Sequence, residues 1–407
     1  MNGAPSNPDG ARPGTRRAPA ATGQDGRMQS RVAPLTGLRA VAAAAVCLTH
    51  AAFSTGHYTD DFVGHLWARF EIGVPIFFAL SGFLLFRPWV RLLQDGTGHQ
   101  PDLRRYAWHR FRRVVPAYWV VVVVVYALGL VRHEPNPSGG GVDGLVRNLT
   151  FTQIYGFGHL RVGLTQAWSL AVEMAFYLAL PLIGWVLTAL LCRYRWLPGR
   201  LLAGLATLAA ITPVWIVIAP SIELTARMWP PAYLWWFLAG MALTVAAAQA
   251  RRWPRGATAA CLAVALLAFV VSALPVIGGP PTMVPRSPVE AIVKSVLYLV
   301  IAAALIAPLG LAPQSRSPYH RLLGSRPMVW LGGISYEYFL VHLIVMDVLL
   351  LDVFGWRPFT GNIAVAFLAT SAVSIPLAWA LRAALPFGDD EGRTATEKGV
   401  TDVRTGA

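Results

Sequence analysis

The stretch Val114–Val131, VVPAYWVVVVVVYALGLV, carries no charged residue and no polar face that a helix could turn toward water. Its 18 residues (131 − 114 + 1) would rise about 27 Å as a helix, close to the hydrocarbon thickness of a bilayer. Arginines bracket it, with RRYAWHRFRR (104–113) before it and Arg132 after it. A segment of this kind is read as a transmembrane helix. Further uncharged stretches follow the same rule: Met174–Cys192, Leu201–Ile222, Met228–Ala250, Gly256–Pro285, Ser295–Ser315 and Gly361–Leu381. Leu38–Thr55, Phe70–Trp89 and Met328–Leu351 are equally apolar apart from isolated polar residues. The expectation is an all-α polytopic membrane protein with about ten transmembrane helices.

Composition agrees: of 407 residues 55% are hydrophobic and only 13% charged, against about one-quarter in a soluble domain. The net charge of +14 does not point to nucleic acid, because the basic residues stand in short bursts between apolar runs and not on a soluble face. With the N-terminus inside, the loops and tails on the inner side hold 26 Lys and Arg residues and the outer loops 7. The positive-inside rule therefore puts both termini in the cytoplasm of a multi-pass protein of the cell inner (plasma) membrane. Residues 1–33 contain no Leu, Ile, Phe, Trp or Tyr, and they and residues 387–407 are expected to be disordered cytoplasmic tails around a membrane domain at 34–386. Cys47, Cys192 and Cys261 lie within or beside apolar runs without metal-ligand spacing, so no metal site is expected.

Ionisable residues at membrane depth are costly, and each is a functional candidate with a partner to be named. In GLRAVAAAAVCLTHA, Arg39 and His50 are eleven residues apart, which is about three turns and 16 Å along one helix face. Arg39 also reads as an anchor snorkelling to the inner surface, and His50 as a hydrogen-bonded packing residue. AWSLAVEMAFYLALP sets Glu173 about two turns below the outer surface with Trp168 and Ser169 above it, at a depth that matches His50 and makes an imidazole its natural partner. In EIGVPIFFALSGFLLFRPW, Gly73, Pro75, Ser81 and Gly82 allow close helix approach. Tyr106, Arg110 and Arg113 share a side of their helix and form either a phosphate cradle or an anchor to anionic lipid. GGISYEYFLVHLIVMD is unusually polar, with Ser335, Tyr336, Glu337, Tyr338 and His342. Glu290 and Lys294, four apart, read as a structural ion pair.

Taken in order, these residues resemble the acyltransferase-3 family of integral membrane O-acyltransferases over roughly 34–386. The likeness rests on Arg39 with His50, Phe77 and Phe78 with Ser81 and Gly82, Arg110 with Arg113, Trp168-Ser169-Leu170 with Glu173, and Ile334-Ser335-Tyr336 with His342. The resemblance implies transfer of an acyl group from cytoplasmic acyl-CoA, a co-substrate, to a hydroxyl, with His50 essential and the Arg pair important for the donor. Phe339 stands where many relatives carry Tyr, which removes a hydroxyl from that position.

The chemistry of the residues is compatible. An alcohol needs a general base to attack a thioester at neutral pH, and neutral imidazole suits that task. The catalytic pair expected is His50 with Glu173 as its orienting partner, and an acyl-histidine intermediate is the competing route. Arg39, Ser81, Arg110, Arg113, Trp168, Tyr336 and His342 are expected to hold the donor, with its acyl arm along the Arg39–His50 face. The acceptor is expected to be an envelope polysaccharide or a glycosylated metabolite such as a macrolide. The rival function is a transporter or flippase of a lipid-linked or glycosidic substrate, which would use the same buried ion pairs without covalent chemistry.

Overall fold

The computed structural model describes residues 22–96, 101–132, 138–281, 284–313 and 315–385. Of the expected tails, residues 1–21 and 387–407 lie outside these. All regular structure among the described residues is helical. Eight helical segments are long and apolar enough to cross a membrane: Ala33–Ser54, Phe62–Asp95, Leu103–Val131, Thr165–Leu191, Pro198–Ile222, Leu224–Gln249, Pro288–Leu311 and Ile363–Ala384. A ninth is broken, with Arg326–Gly333 and Ser335–Val353 meeting at 67°. The remaining expected crossing is occupied by Ala257–Ser272, whose 16 residues rise only about 24 Å.

The helices that frame the site are labelled α1 (Thr22–Ser54), α2 (Gly73–Leu85), α3 (Leu103–Val131), α4 (Trp168–Trp185), α5 (Leu234–Gln249), α6 (Pro288–Leu311), α7 (Ser335–Asp347) and α8 (Ile363–Ala384). Lipid offers no hydrophobic force between helices, so close packing at small residues must hold them together. The tightest crossing is α2 on α5, where Gly82 lies against the Phe237 carbonyl and Gly240 against the Ala79 carbonyl. Thr244 Oγ1 then donates to the Phe83 carbonyl across the same crossing at 2.7 Å. Phe237 stacks between Phe78 and Phe176, with ring centroids 4.4 and 4.0 Å away, which ties α4 to the pair.

Three similar contacts fix α1. Gly37 meets the Leu323 carbonyl, Gly332 meets the Thr36 carbonyl, and Gly73 meets the Ala42 carbonyl. Backbone approach this close leaves the helix no freedom to rotate, so the face bearing Arg39 and His50 is held toward the bundle interior. The break before α7 falls at Ile334, just after Gly332 and Gly333, and Ser335 Oγ donates to the Gly332 carbonyl across it at 2.8 Å. Gly332 is required there, because any side chain would strike α1.

The chain leading into α4 is buried, with Ile154 and Ala167 fully enclosed. Gln153 Nε2 donates to the Ala167 carbonyl at 3.0 Å, and Gln166 Nε2 donates to the Leu340 carbonyl at 2.9 Å. The first satisfies backbone of the entry segment, which lipid could not, and the second ties that segment to α7. As a result α4 starts well inside the bundle.

Candidate active site

The site follows α1 from the end of the bundle rich in arginine to the opposite, far end. At the basic end Arg39, Arg113, Glu173, Glu337 and Tyr177 act on one another electrostatically. Arg39 stands over the Phe77 ring and Arg110 over the Tyr177 ring, each 6.0 Å from the centroid. Arg39 Nε and Arg110 Nε are buried and have no hydrogen-bond partner among the described residues. Arg113 sits in this cluster and keeps part of its surface accessible. Beside it lies a small cavity of about 60 Å³ lined by Arg112, Arg113, Tyr336, Glu337 and Arg382. The Tyr336 hydroxyl donates to the Val114 carbonyl at 2.7 Å and so ties α7 to α3 at the cavity wall. Arg382 donates to the Gly333 carbonyl.

Midway, the Phe77 and Phe339 rings meet edge to face with centroids 6.2 Å apart. Phe339 also touches the His342 ring, 5.8 Å between centroids. This apolar collar separates the guanidinium cluster from the histidines. It also gives Phe339 a role that needs no hydroxyl.

Beyond the collar, His50 Nδ1 and His342 Nε2 are 2.9 Å apart. Their rings are 5.1 Å apart at 20°. His342 Nδ1 lies 2.8 Å from the Phe339 carbonyl, which can only accept, so this nitrogen carries the proton. In a neutral ring Nε2 is then the acceptor, and the proton between the rings belongs to His50 Nδ1. The lone pair of His50 therefore resides on Nε2. A carbonyl on α7 thus sets the tautomer of a histidine on α1 through one intervening imidazole.

One expectation is corrected here. Glu173 is not the partner of His50. Its Oε1 accepts from Ser81 Oγ and from Tyr177 Oη, both at 2.5 Å. The cause is the buried entry to α4. Gln166 is level with Leu340, beside the histidines, and Glu173 is seven residues (173 − 166) further along, about 10 Å toward the basic end. Counting turns from a membrane surface at Trp168 sets Glu173 too shallow. His342, expected with the donor group, hydrogen-bonds to His50.

Ser81 belongs to the basic-end cluster through Glu173, as do Arg39, Arg110 and Arg113. Trp168 is apart from them and packs on Tyr233, 4.9 Å between ring centroids. The Glu290–Lys294 pair does not form: Lys294 Nζ bonds to Glu71 Oε1 at 3.1 Å, and Glu290 accepts from the Arg286 backbone. Gln166 was missed, although a lone glutamine between apolar residues just ahead of Trp168 is the signal for it. Among the described residues, no three His, Cys, Asp or Glu side chains converge as metal ligands would.

Among known proteins, residues 33–383 match a family model described as an acyltransferase domain, of the acyltransferase-3 type. The chain is similar to the acyltransferase MdmB of Streptomyces mycarofaciens, 28% identical over 376 residues and 87% of each chain. It is similar to the peptidoglycan O-acetyltransferase OatA of Listeria monocytogenes, 31% identical over 202 residues, which are 46% of this chain and 29% of that one. It is also similar to the exopolysaccharide production protein ExoZ of Rhizobium meliloti, 32% identical over 132 residues, 32% of this chain and 37% of ExoZ. Its match thus covers well under half the length of OatA or ExoZ and most of MdmB. No solved structure matches significantly.

Proposed function

The chain belongs to the acyltransferase-3 family, and on that premise we propose that it moves an acyl group from acyl-CoA to a hydroxyl of a carbohydrate or glycosylated acceptor, with His50 as the base. The observation that carries this reading is the His50–His342–Phe339 carbonyl relay, which leaves an imidazole lone pair on His50 Nε2 at membrane depth. In the reaction, Nε2 takes the acceptor's hydroxyl proton as the oxygen attacks the thioester carbonyl. The carbon–sulfur bond then breaks, and the departing thiolate recovers the proton from His50, so no proton is gained or lost overall.

The donor arrives from the cytoplasmic side, where the arginines are. Arg39, Arg110 and Arg113 outnumber Glu173 and Glu337, and the buried unpartnered nitrogens of Arg39 and Arg110 fit phosphate oxygens. His50 is eleven residues beyond Arg39, about 16 Å along α1, a distance an extended pantetheine arm can cover. The names of the relatives OatA and ExoZ, with peptidoglycan and exopolysaccharide in them, support a sugar-bearing acceptor. A macrolide glycoside fits the same chemistry.

The test is incubation of membranes holding the protein with isotopically labelled acetyl-CoA and a panel of polysaccharide fragments and glycosylated macrolides, followed by mass spectrometry. Label appearing as an ester on an acceptor supports the reading. Uptake of unmodified glycoside into vesicles without ester formation refutes it in favour of transport.

A further inference from the structure

At the far end of the bundle a second charged group is built into the helices. Arg69 is fully buried and donates to the carbonyls of Ser272 at 2.7 Å, Gly278 at 2.9 Å and Gly279 at 2.6 Å. It fixes the turn after the Ala257–Ser272 helix and stands 3.9 Å from Glu71. Glu71 Oε1 accepts from Lys294 Nζ at 3.1 Å and from Tyr298 Oη at 2.8 Å. Both bonds end on Oε1, which leaves Oε2 for a further donor. Arg69 is spent on structure, whereas Glu71 keeps 32% of its side chain accessible and Lys294 20%.

Glu71 lies at the level of His50. Gly73, two residues on, touches the Ala42 carbonyl and the Val46 side chain. Thr49 Oγ1 donates to the Trp67 carbonyl at 3.1 Å and the Ala68 carbonyl at 3.2 Å, on the other side of Glu71 in sequence. The Glu71 segment therefore runs past α1 between Val46 and Thr49, next to the catalytic position. Aromatic rings complete the wall. Tyr58 and Tyr233 are within electrostatic reach of Glu71. Tyr233 packs on Trp168 at 4.9 Å and on Trp236 at 5.3 Å. Trp168 and Tyr233 are only partly buried.

We propose that Glu71, Lys294, Tyr233 and Trp168 form the acceptor subsite and that it recognises a pyranose ring. This rests on the acyl-transfer reading, which it deepens. A pyranose has an apolar C–H face and a rim of hydroxyls. Trp168 and Tyr233 offer flat surface to the face, and the ion pair offers a carboxylate to accept from one hydroxyl and an ammonium to donate to its neighbour. Few convergent polar groups on an aromatic wall are the usual makeup of a small-molecule site. Bound there, the sugar holds another hydroxyl toward His50 Nε2.

The experiment uses the full-length protein in lipid nanodiscs. Saturation-transfer NMR measures binding of N-acetylglucosamine, methyl β-D-glucopyranoside and erythromycin, with cyclohexanol as a hydroxylated non-sugar control. Release of CoA from acetyl-CoA is followed in parallel. The parent is expected to bind at least one glycoside and not cyclohexanol. Glu71→Gln and Lys294→Met should each weaken glycoside binding by about tenfold or more, the order expected for a lost charge-assisted hydrogen bond. Trp168→Phe, which keeps a ring, should weaken it less than Trp168→Ala, and the apparent affinity for acetyl-CoA should stay parental in all four. The subsite is overturned if the parent binds no glycoside, if folded Glu71→Gln and Lys294→Met bind as the parent does, or if the loss falls on acetyl-CoA. A parent that binds glycoside but never acylates it leaves the subsite standing and refutes the acyl-transfer reading instead.

Discussion

Replacing His342 by Ala removes the acceptor of the His50 Nδ1 proton while leaving His50 itself in place. In the structure that proton has one acceptor, 2.9 Å away. A buried donor left without a partner costs about 1–3 kcal/mol. The ring of His50 avoids part of that cost by rotating or by moving its proton to Nε2, and either change removes the base. At 1.36 kcal/mol per factor of ten, the expected fall in turnover is about 5- to 150-fold. His342→Gln should do less harm, since its amide oxygen can reach the place of Nε2 and accept from His50. The assay is steady-state release of CoA at varied acetyl-CoA, with a fixed saturating acceptor. The loss should fall on kcat, with KM for acetyl-CoA near the parent value. If His342→Ala turns over like the parent, or if its defect lies in acetyl-CoA affinity, the relay does not position His50.

Other substitutions separate the two ends of the site. Glu173→Gln takes a negative charge from between Arg39 and Arg113 and weakens two bonds, from Ser81 and Tyr177. It should cost about 1–3 kcal/mol of stability, seen in thermal unfolding in detergent, and should change KM for acyl-CoA more than kcat. Arg113→Lys keeps the charge but not the planar fork, so it should raise KM for acyl-CoA severalfold in the same CoA-release assay while glycoside binding is unchanged. Gly240→Ala forces a methyl group against the Ala79 carbonyl at the α2–α5 crossing. Overpacking there should cost about 1–3 kcal/mol, visible as a lower midpoint of thermal unfolding.

Much of this arrangement is legible in the sequence, for reasons that differ from residue to residue. The spans are legible because a bilayer demands long apolar runs, and Val114–Val131 meets that demand without help from its neighbours. Arg39 and His50 are legible together because both lie on one helix, whose periodicity fixes their relation. Glu173 is not, because its depth is set by the buried segment before α4, where Gln153 bonds to the Ala167 carbonyl and Gln166 to the Leu340 carbonyl of α7, a segment that a hydropathy reading sends to the surface. The partner of His50 is 292 residues away and depends on the rotation of two helices, which the glycine contacts of α1 and the side-chain bonds to and from α7 fix. Glu290 and Lys294 have the right spacing for a pair, yet Glu290 is taken by the start of its own helix and Lys294 turns inward to Glu71. Local spacing states what two residues can do on an isolated helix, and the bundle decides which of them does it.

The central claim is that His50 supplies the base, and the most direct measurement is single-turnover acyl transfer by His50→Ala. The purified variant, in nanodiscs with an excess over labelled acetyl-CoA and with a glycoside the parent acylates, is followed by mass spectrometry of the ester. Donor binding is measured on the same preparation. General-base catalysis contributes about 10² to 10⁴ in rate, so ester formation should fall at least a hundredfold while acetyl-CoA still binds. Ester formed at the parent's rate by a folded His50→Ala protein would contradict the mechanism.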